Sequence, residues 1–425
     1  MKYIKRIVDD EIALQLKVAG AIQIKGPKWC GKTTSARQVA KSVLELQNPD
    51  LQDNYLELAS TKPSLLLEGD KPRLIDEWQL APKLWNAVRY DIDKTGECGS
   101  YILTGSAVPL DDDTTKDLHT GVGRFAIVDM KPMTLYESGD SNGKISLNDL
   151  LNGKRDIDGI KSTLDYERIA TVLCRGGWPN AIGLADDVSE SVAKNYLNVL
   201  CQSDISRVDG VKKDPNLARA ILRAYARQTS TIDSDKSMYD DIRSNYALVS
   251  EATIASYIKV LKRLYIIEDI EAWNPNIRSK TAIRTSPKKA FVDPSLAVAA
   301  LGCSKKELML DINTFGLLFE NLVGRDLSVY AKKHGGVLRH YRDRYGLECD
   351  NVINFPDGRY ILAEVKLGGR KLKEAEEHLL ELNRLINESE DIKIKPSLLM
   401  IITGTDMAYV TPTNVLVVPI GCLKD

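Results

Sequence analysis

The chain has 425 residues, and its 58 Lys and Arg against 59 Asp and Glu give a formal net charge of −1, so no chain-wide basic bias points to nucleic acid. Seven scattered cysteines without a C-x-x-C pair, and four histidines, disfavour a disulfide framework and structural zinc. No run of about eighteen apolar residues occurs, and acids stand where a signal peptide needs an apolar segment. These features predict a multi-domain cytoplasmic protein without a membrane span.

The strongest motif follows a predicted amphipathic helix at residues 5–19. An apolar run at 21–24 predicts a strand, and the segment after it has the spacing G-x-x-x-x-G-K-T of a phosphate-binding loop. Glycines let successive backbone N–H groups point at one anion, Lys32 can reach the β- and γ-phosphates, and Thr33 can ligate magnesium. The sequence therefore predicts a nucleotide site formed by Gly26, Pro27, Lys28, Trp29, Cys30, Gly31, Lys32, Thr33 and Thr34.

The next predicted elements are a helix that reaches Val43 and a strand at 55–58. Residues 73–79 then form an apolar run that ends in two acids. A buried parallel strand of this kind presents its last side chains at the sheet edge where ligands bind. We expect Asp76 to hold magnesium and Glu77 to orient or deprotonate the attacking water, as a Walker B pair.

Two further candidates follow a helix predicted at 80–93. Thr104 lies at the end of the strand predicted at 100–105, and Ser106 directly follows that strand. One of these hydroxyls either contacts the γ-phosphate or the attacking water, or it only caps the backbone. Arg124 comes just before the next predicted strand. It is either an arginine finger that acts on the nucleotide of a neighbouring subunit, which would require a homo-oligomer, or a surface arginine in an ion pair.

These segments together resemble the AAA-type ATPases of bacteria and archaea that carry a C-terminal domain of unknown function. The resemblance implies an α/β fold of the P-loop ASCE/AAA type over residues 1–160, whose parallel sheet has an extra strand between those of the phosphate loop and Walker B. It also implies ATP and Mg²⁺ as ligands. Trp29 and Cys30 depart from the small or polar residues that such loops often have. The matching segments are 26–34, LIDEWQ at 74–79, ILTGS at 102–106, GR at 123–124, RGGWP at 175–179 and SPK at 286–288.

The segment from 138 to 158 is polar and glycine-rich, and we predict an exposed linker there. A helical and winged-helix domain is predicted at 161–300, in which a helix over 250–265, N-capped by Ser250, leads into a strand. A basic run at 278–289 follows, and it either contacts a DNA backbone or forms a solvated loop or a contact to the ATPase domain. Its members are Arg278, Lys280, Arg284, Lys288 and Lys289.

The third predicted domain, 301–425, has the order helix, three strands, helix and strand. With Asp350 and the sequence Glu364-Val-Lys366, this order resembles the PD-(D/E)xK nuclease superfamily, a restriction-endonuclease-like α/β fold. The resemblance implies that Asp350 and Glu364 hold magnesium and that Lys366 positions or activates the attacking water. Glu320, on the preceding helix, would join the metal site.

Strand register decides whether these acids can meet. A two-residue turn within residues 356–359 would pair residue 350 with residue 365 and leave Asp350 and Glu364 on opposite faces of the sheet. Convergence requires a longer loop or a bulge, and we predict one of these. The alternative is that Glu364 and Lys366 form an ordinary ion pair in a fold kept for binding.

The leading hypothesis is an ATP-binding and ATP-hydrolysing AAA-type protein that couples its nucleotide state to a nucleic-acid-directed C-terminal module. Two alternatives stay open: an ATP-gated, metal-dependent DNase, and a non-catalytic nucleotide switch that is read by a protein partner. The expected partners are ATP, ADP and DNA, the DNA being contacted by the winged helix, the basic run and the C-terminal domain.

Overall fold

Five short apolar segments form a parallel sheet in the first part of the chain. The computed structural model describes residues 3–106, 121–208, 210–232, 235–276 and 285–425. The strands of the first sheet are β1 (Ala21–Lys25), β2 (Ser42–Glu45), β3 (Arg73–Asp76), β4 (Tyr101–Gly105) and β5 (Phe125–Asp129). Their order is β2-β3-β4-β1-β5, with all pairs parallel. Because β4 lies between the phosphate-loop strand and the strand of the two acids, the predicted extra strand is confirmed.

Helices pack against both faces of this sheet. Alternate residues of a strand point to opposite faces, so Ile22 and Ile24 of β1 enter one apolar core and Ala21 enters the other. Ile12 packs in the same core as Ile22, and Leu84 packs in the same core as Ala21. The α-helices in the described residues of this region are α1 (Val8–Val18), α2 (Lys32–Arg37), α3 (Gln52–Thr61) and α4 (Lys83–Thr95).

Two predicted elements of this region are wrong. Residues 55–58 belong to the helix α3, not to a strand, because Tyr55, Leu58 and Ala59 recur at helical spacing and pack on the core. The helix predicted to reach Val43 ends at Arg37 instead, and Val43 pairs with Leu74 within the edge strand β2. A short amphipathic segment can form either a helix or a strand. The segment around Val43 forms a strand because it pairs with the otherwise free edge of β3.

The chain divides into two compact units. The first comprises Met1–Pro132, Ser203–Lys213 and Lys259–Ile266, so it includes two short segments from the middle of the sequence. The second comprises Met133–Gln202, Asp214–Ile258 and Ile267–Asp425. The three domain ranges predicted from the sequence stay a prediction.

Helices dominate the middle of the chain, and a mixed sheet dominates its last hundred residues. Among the described residues, no helix is long and apolar enough to cross a membrane. Ser250 caps its helix as predicted, since its Oγ accepts a hydrogen bond of 3.1 Å from the amide of Thr253. The helices are α5 (Leu147–Leu151), α6 (Tyr166–Arg175), α7 (Asp186–Val199), α8 (Ile205–Arg207), α9 (Pro215–Arg227), α10 (Asp235–Arg243), α11 (Glu251–Arg263), α12 (Pro294–Leu301), α13 (Lys305–Leu310), α14 (Ile312–Lys333) and α15 (Leu372–Glu388).

A six-stranded sheet follows the helix α14. Its order is β13-β14-β12-β11-β10-β9, in which β9, β10 and β11 form an antiparallel meander and β12 returns parallel to β11 after α15. Two separate pairs lie outside it, β7 with β8 and β6 with β15. In chain order the strands are β6 (Ile145–Ser146), β7 (Ile267–Ile270), β8 (Lys288–Phe291), β9 (Val337–Arg342), β10 (Glu348–Asn354), β11 (Tyr360–Lys366), β12 (Leu398–Thr403), β13 (Tyr409–Val410), β14 (Leu416–Pro419) and β15 (Leu423–Lys424).

The segment predicted as an exposed linker, 138–158, is largely structured. Ile145 lies in β6 and pairs in parallel with Leu423, and Leu147 and Leu150 in α5 are buried. Ser146 caps α5 by accepting a hydrogen bond of 3.1 Å from the Asp149 amide. The polar and glycine-rich composition of the segment gave no sign of this small apolar core, because only five of its residues, Ile145, Leu147, Leu150, Leu151 and Ile157, are buried apolar side chains.

A buried ion network joins the Gly-Gly-Trp-Pro segment to α12 and α14. The guanidinium of Arg325 donates to Asp293 and Asp326 over 2.8 Å, and all three side chains are almost fully buried. Asp293 also accepts a hydrogen bond of 2.9 Å from the amide of Gly177. A Cβ at Gly177 would lie 2.1 Å from the Met133 carbonyl oxygen, so this close backbone approach requires glycine.

Candidate functional site

The phosphate loop occupies the turn between β1 and α2. A Cβ at Gly26 would lie 2.1 Å from the carbonyl oxygen of Met130, and Gly31 has a φ of 105°, so both positions require glycine. The Lys32 ammonium folds back into the loop and donates to the carbonyl oxygens of Gly26 and Pro27 at 3.0 and 2.7 Å. The carbonyl oxygens of the loop therefore already hold the Lys32 ammonium, a cation that a bound phosphate would meet.

The remaining predicted loop residues take different positions. Trp29 has a left-handed backbone with φ of 64° and is largely exposed, whereas Cys30 is fully buried with its Sγ 3.7 Å from the Met130 carbonyl oxygen. Thr34 is exposed in the first turn of α2. Burial of Cys30 shields its thiol from solvent, so the loop presents backbone and cations rather than a sulfur.

Arg6 holds the phosphate loop from outside the motif. Its two terminal nitrogens donate to the carbonyl oxygens of Cys30 and Lys131, each over 2.8 Å, and the side chain is buried. Two charge-assisted hydrogen bonds from one rigid guanidinium fix the loop against the end of β5. The sequence pattern did not identify this residue, because an arginine before a surface helix has no motif of its own.

Thr33 and Asp76 meet where the strands β1 and β3 end. The Thr33 hydroxyl donates to Asp76 Oδ1 over 2.7 Å, and the buried hydroxyl of Thr104 donates to the same oxygen. A hydroxyl beside a carboxylate is the protein part of a Mg²⁺ site whose other ligands are nucleotide and water oxygens. The residues present therefore fit the predicted ion, and Thr104 supports Asp76 rather than capping a helix.

Glu77 occupies a strained backbone position directly after β3. Its φ of 55° and ψ of 48° place it in the left-handed region, which non-glycine residues adopt rarely and mainly at functional sites. Its carboxylate accepts hydrogen bonds from the Ser106 hydroxyl, at 3.2 Å, and from the Gln79 amide. The hydroxyls of Thr104, inside β4, and of Ser106, directly after it, thus each contact one of the two acids Asp76 and Glu77.

Arg124 lies at the wrong end of the sheet to act on the nucleotide of its own chain. β1 and β5 run parallel with Ala21 opposite Phe125, so Arg124 precedes the start of β5 while the phosphate loop follows the end of β1. The separation is about 16 Å at roughly 3.3 Å per residue. Arg124 Nε donates to Asp93 over 2.7 Å, as the ion-pair alternative predicted. This placement separates Arg124 from the phosphate loop of its own chain, and its role as an arginine finger towards a neighbouring subunit stays a prediction.

Lys28 of the phosphate loop is paired with an acid from the middle of the chain. Its ammonium lies 2.8 Å from Oδ1 of Asp204, whose side chain is almost fully buried. Asp204 ends a π-helical turn, Leu200–Asp204, and π-helical turns recur at functional sites. The two residues are separated by 176 positions, so no local pattern could have predicted the pair.

The loop between β10 and β11 has three residues. The amide of Phe355 donates to the Arg359 carbonyl over 2.9 Å, so residues 356–358 span the turn, and Gly358 takes the left-handed φ of 88° that such a turn needs. The register pairs Asn351 with Ala363, and its next step places residue 350 opposite residue 364. The predicted longer loop is thus confirmed. A bulge in the pairing of β10 with β9, between Cys349 and Val352, lies at the same place.

This register brings Asp350, Glu364 and Lys366 together. The Lys366 ammonium lies 2.7 Å from Glu364 Oε2 and 3.5 Å from Asp350 Oδ2, and Asp350 also accepts a hydrogen bond of 2.8 Å from the Val365 amide. Burial and the nearby charge of Asp350 raise the pKa of Glu364 to about 8. The carboxylates and the lysine therefore form one compact group on a single face of the sheet.

Glu320 joins the same region through a second lysine. Lys288 lies 2.7 Å from Glu320 Oε1 and also donates to the carbonyl oxygen of Asp350. Burial raises the pKa of Glu320 to about 7, and the charge of Lys288 opposes this rise. Among the described residues, no group of three or more His, Cys, Asp and Glu is arranged to hold a metal ion. The side chains as they stand do not fit the predicted second magnesium site.

The buried histidine His340 makes stability depend on pH. Burial lowers its pKa to about 4, and the positive charges of Lys288 and Arg342 add to this. An unfolded histidine titrates near 6.5, so between about pH 6.5 and 4 the unfolded chain binds more protons and the folded chain loses stability as pH falls. We expect His340 alone to contribute a loss of about 3 kcal/mol over this window, while Glu320 and Glu364, whose raised pKa values favour the folded state as pH falls, act in the opposite direction.

Urea unfolding at several pH values measures this loss. His340→Leu should flatten the decline, whereas His378→Leu, at an exposed position of α15, should leave it unchanged. Equal pH profiles for wild type and His340→Leu would contradict the assignment.

The predicted DNA contacts of the middle domain can be located only in part. The residues Arg278, Lys280 and Arg284 of the basic run lie outside the described residues. Lys288 and Lys289 begin β8, which pairs antiparallel with β7, and both are buried. The helix α11 followed by this β7–β8 hairpin agrees with the predicted helix and following strand. Its assignment as a winged helix stays a prediction, and so does DNA binding.

Comparisons with known proteins divide the chain into three matches. Residues 18–138 match the family model of an AAA domain, and residues 166–307 and 315–423 match two domains of unknown function, DUF8612 and DUF4143. Uncharacterized proteins of Mycobacterium bovis and Mycobacterium tuberculosis are each 22% identical over 351 residues, which cover 82% of this chain and 70% of theirs. A Walker-type ATPase of Pyrococcus abyssi has a TM-score of 0.42 and 12% identity, with 70% of this chain and 96% of that chain covered.

The AAA match covers the features on which the first predicted site depends. It spans the phosphate loop with Lys32, the acids Asp76 and Glu77, and the hydroxyl of Thr104. The sheet order, with β4 between β1 and β3, supports the same assignment and does not depend on this match. Residues 18–138 are therefore a P-loop domain of the AAA type.

Proposed function

We propose that the chain binds ATP at the phosphate loop, hydrolyses it, and couples its nucleotide state to a nucleic-acid-directed C-terminal module. The observation that carries the ATPase proposal is the junction of Thr33, Asp76 and Thr104, in which two hydroxyls converge on one carboxylate oxygen beside Lys32. Phosphoryl transfer depends mainly on positioning and on charge stabilisation, and this junction supplies both.

Each side chain has a defined task in this proposal. Lys32 leaves the loop carbonyls and binds the β- and γ-phosphates, while Thr33 and Asp76 hold Mg²⁺, which supplies charge neutralisation on the phosphates. Glu77, supported by Ser106 and Gln79, orients the attacking water and accepts its proton. Arg6 keeps the loop in the conformation that points its amides inward.

The pair of Lys28 and Asp204 supports the coupling part of the proposal. A triphosphate in the loop competes with the Asp204 carboxylate for the Lys28 ammonium, because one cation favours the greater nearby negative charge. Asp204 lies outside the AAA match, in the segment Ser203–Lys213. Nucleotide binding would thus change a contact to a segment beyond the AAA domain. This observation equally favours the second candidate function, a nucleotide switch read by a protein partner.

The deciding experiment measures ATP hydrolysis by the full chain with Mg²⁺, alone and with single- or double-stranded DNA, while DNA length is followed in the same samples. Hydrolysis that DNA stimulates supports the proposed nucleic-acid module. Hydrolysis indifferent to DNA, with the DNA intact, favours the nucleotide switch. Shortening of the DNA would instead support the DNase alternative.

Replacing Lys32 with alanine is expected to weaken ATP binding by about 100-fold or more. The change removes charge-assisted hydrogen bonds to the phosphates, which contribute about 1.5–3 kcal/mol each. Isothermal titration calorimetry with ATP measures the loss. Lys25→Ala is the matched control, because Lys25 ends β1 just before the phosphate loop but forms an ion pair with Asp129. Equal affinity of Lys32→Ala and wild type would overturn the assignment of the loop.

A further inference from the structure

Lys288 places its ammonium beside a group of largely buried acids that we call the acidic cluster. We define this cluster by the carboxylates of Glu320, Asp350 and Glu364. The Lys288 ammonium contacts the Glu320 carboxylate at 2.7 Å and the backbone carbonyl of Asp350. Its side chain is 5% exposed and that of Glu320 is 14% exposed, so water has little access to the pair. These are the oxygen types that a hard divalent cation takes as ligands.

The two lysines leave little charge for a metal ion to neutralise. The three carboxylates of the acidic cluster face the ammonium groups of Lys288 and Lys366, a formal charge of −1 for the group. A divalent ion would need several oxygen ligands within about 2.6 Å, and it would place its charge beside both ammonium groups in a buried site. Metal binding therefore requires Lys288 to leave.

The backbone around Lys288 opposes its departure. Lys288 is the first residue of β8 and pairs with Ile270 of β7, so the start of its side chain is fixed by the hairpin. Withdrawing the ammonium would leave Glu320 buried without a compensating charge, which is strongly unfavourable. The contact is therefore a permanent part of the fold as described.

We propose that Lys288 is a tethered cation that takes the place of a divalent metal ion, so that the acidic cluster is a metal-free ionic centre. The C-terminal sheet then carries the carboxylates and the lysine of a nuclease-like arrangement without the ion that cleavage needs. This domain would then leave nucleic acid uncut. The inference concerns the second compact unit alone and does not depend on ATP turnover.

The test measures Mn²⁺ and Mg²⁺ binding to the full chain without nucleotide, by calorimetry and by thermal unfolding. We expect no metal-dependent rise in Tm for wild type. Lys288→Met removes the ammonium and retains the length of the side chain, and we expect it to bind Mn²⁺ at least about ten-fold more tightly than wild type and to gain Tm with the metal. Lys289→Met removes a second buried ammonium, whose side chain points to the other side of β8, and we expect it to show no metal-dependent rise in Tm.

Two results would overturn the proposal. The first is a metal-dependent rise in Tm of wild type that Asp350→Asn abolishes, since the acidic cluster would then accept metal with Lys288 in place. The second is a folded Lys288→Met protein that binds no metal. If that variant fails to fold, Lys288→Met combined with Glu320→Gln removes both charges of the pair. The double variant should fold and show no metal-dependent gain in Tm. A metal-dependent gain in Tm of the double variant would count against the proposal.

Discussion

Replacing Glu77 with glutamine is expected to lower the rate of ATP turnover by about 10²- to 10⁴-fold while ATP still binds. Glutamine retains the hydrogen bonds that a side chain of this length accepts through its oxygen, but it cannot take the proton of the attacking water. The contacts of Glu77 with Ser106 and Gln79 make it a positioned acceptor. Single-turnover hydrolysis with calorimetric ATP titration separates the chemical step from binding.

A neutral substitution elsewhere serves as the control for this change. Glu57→Gln alters an exposed acid on α3, and its turnover should equal that of wild type. A Glu77→Gln protein that hydrolyses ATP at the wild-type rate would show that another group directs the water. Loss of ATP binding in the same variant would instead indicate that the strained backbone at Glu77 had collapsed.

Replacing Arg325 with methionine is expected to lower the free energy of unfolding by about 3–5 kcal/mol. Methionine fills a similar volume, but it leaves the carboxylates of Asp293 and Asp326 buried without their shared cation. Asp293 would keep the amide of Gly177 and the amide and hydroxyl of Ser295 as donors, and Asp326 would keep the Leu135 amide. These neutral donors do not replace the cation beside two buried charges. Urea unfolding followed by the emission of the buried Trp178, in the same unit, measures the loss.

The control for this prediction is an arginine with similar partners on the surface. Arg384 pairs with Glu381 and Glu388 on the exposed side of α15, and such pairs contribute little to stability. Arg384→Met should therefore unfold at nearly the same urea concentration as wild type. Arg325→Met would contradict the prediction if its midpoint matched that of Arg384→Met.

The phosphate loop and the two acids after β3 could be predicted because their chemistry requires particular residues at a fixed spacing. Gly26 and Gly31 stand where a side chain would collide or strain the backbone, and Asp76 must follow a strand to reach Thr33. The contacts of Arg6 and Asp204 to the same loop could not be predicted. They depend on tertiary packing, and neither residue lies in a pattern that distinguishes it from other charged residues.

The C-terminal acids show a different limit. The sequence showed that Asp350 and Glu364 can meet only if the turn is longer than two residues or the strand has a bulge. It did not show which of these would form. Once the loop is known, their convergence follows from the alternation of side chains along a strand. The position of Lys288 does not follow in this way, because it enters from another element of the fold. The secondary structure of short amphipathic segments such as 55–58 was also ambiguous, because tertiary packing decides whether they form a helix or a strand.

The exposed indole of Trp29 makes the phosphate loop optically accessible. Trp29 is 52% exposed, whereas Trp78 and Trp178 are 3% and 0% exposed. A water-soluble fluorescence quencher therefore reaches the indole of the loop far more readily than these two. Trp85 and Trp273 are half-buried and contribute as well, so the difference between wild type and Trp29→Phe gives the quenchable emission of the loop, with unlabelled nucleotide and without a coupled assay.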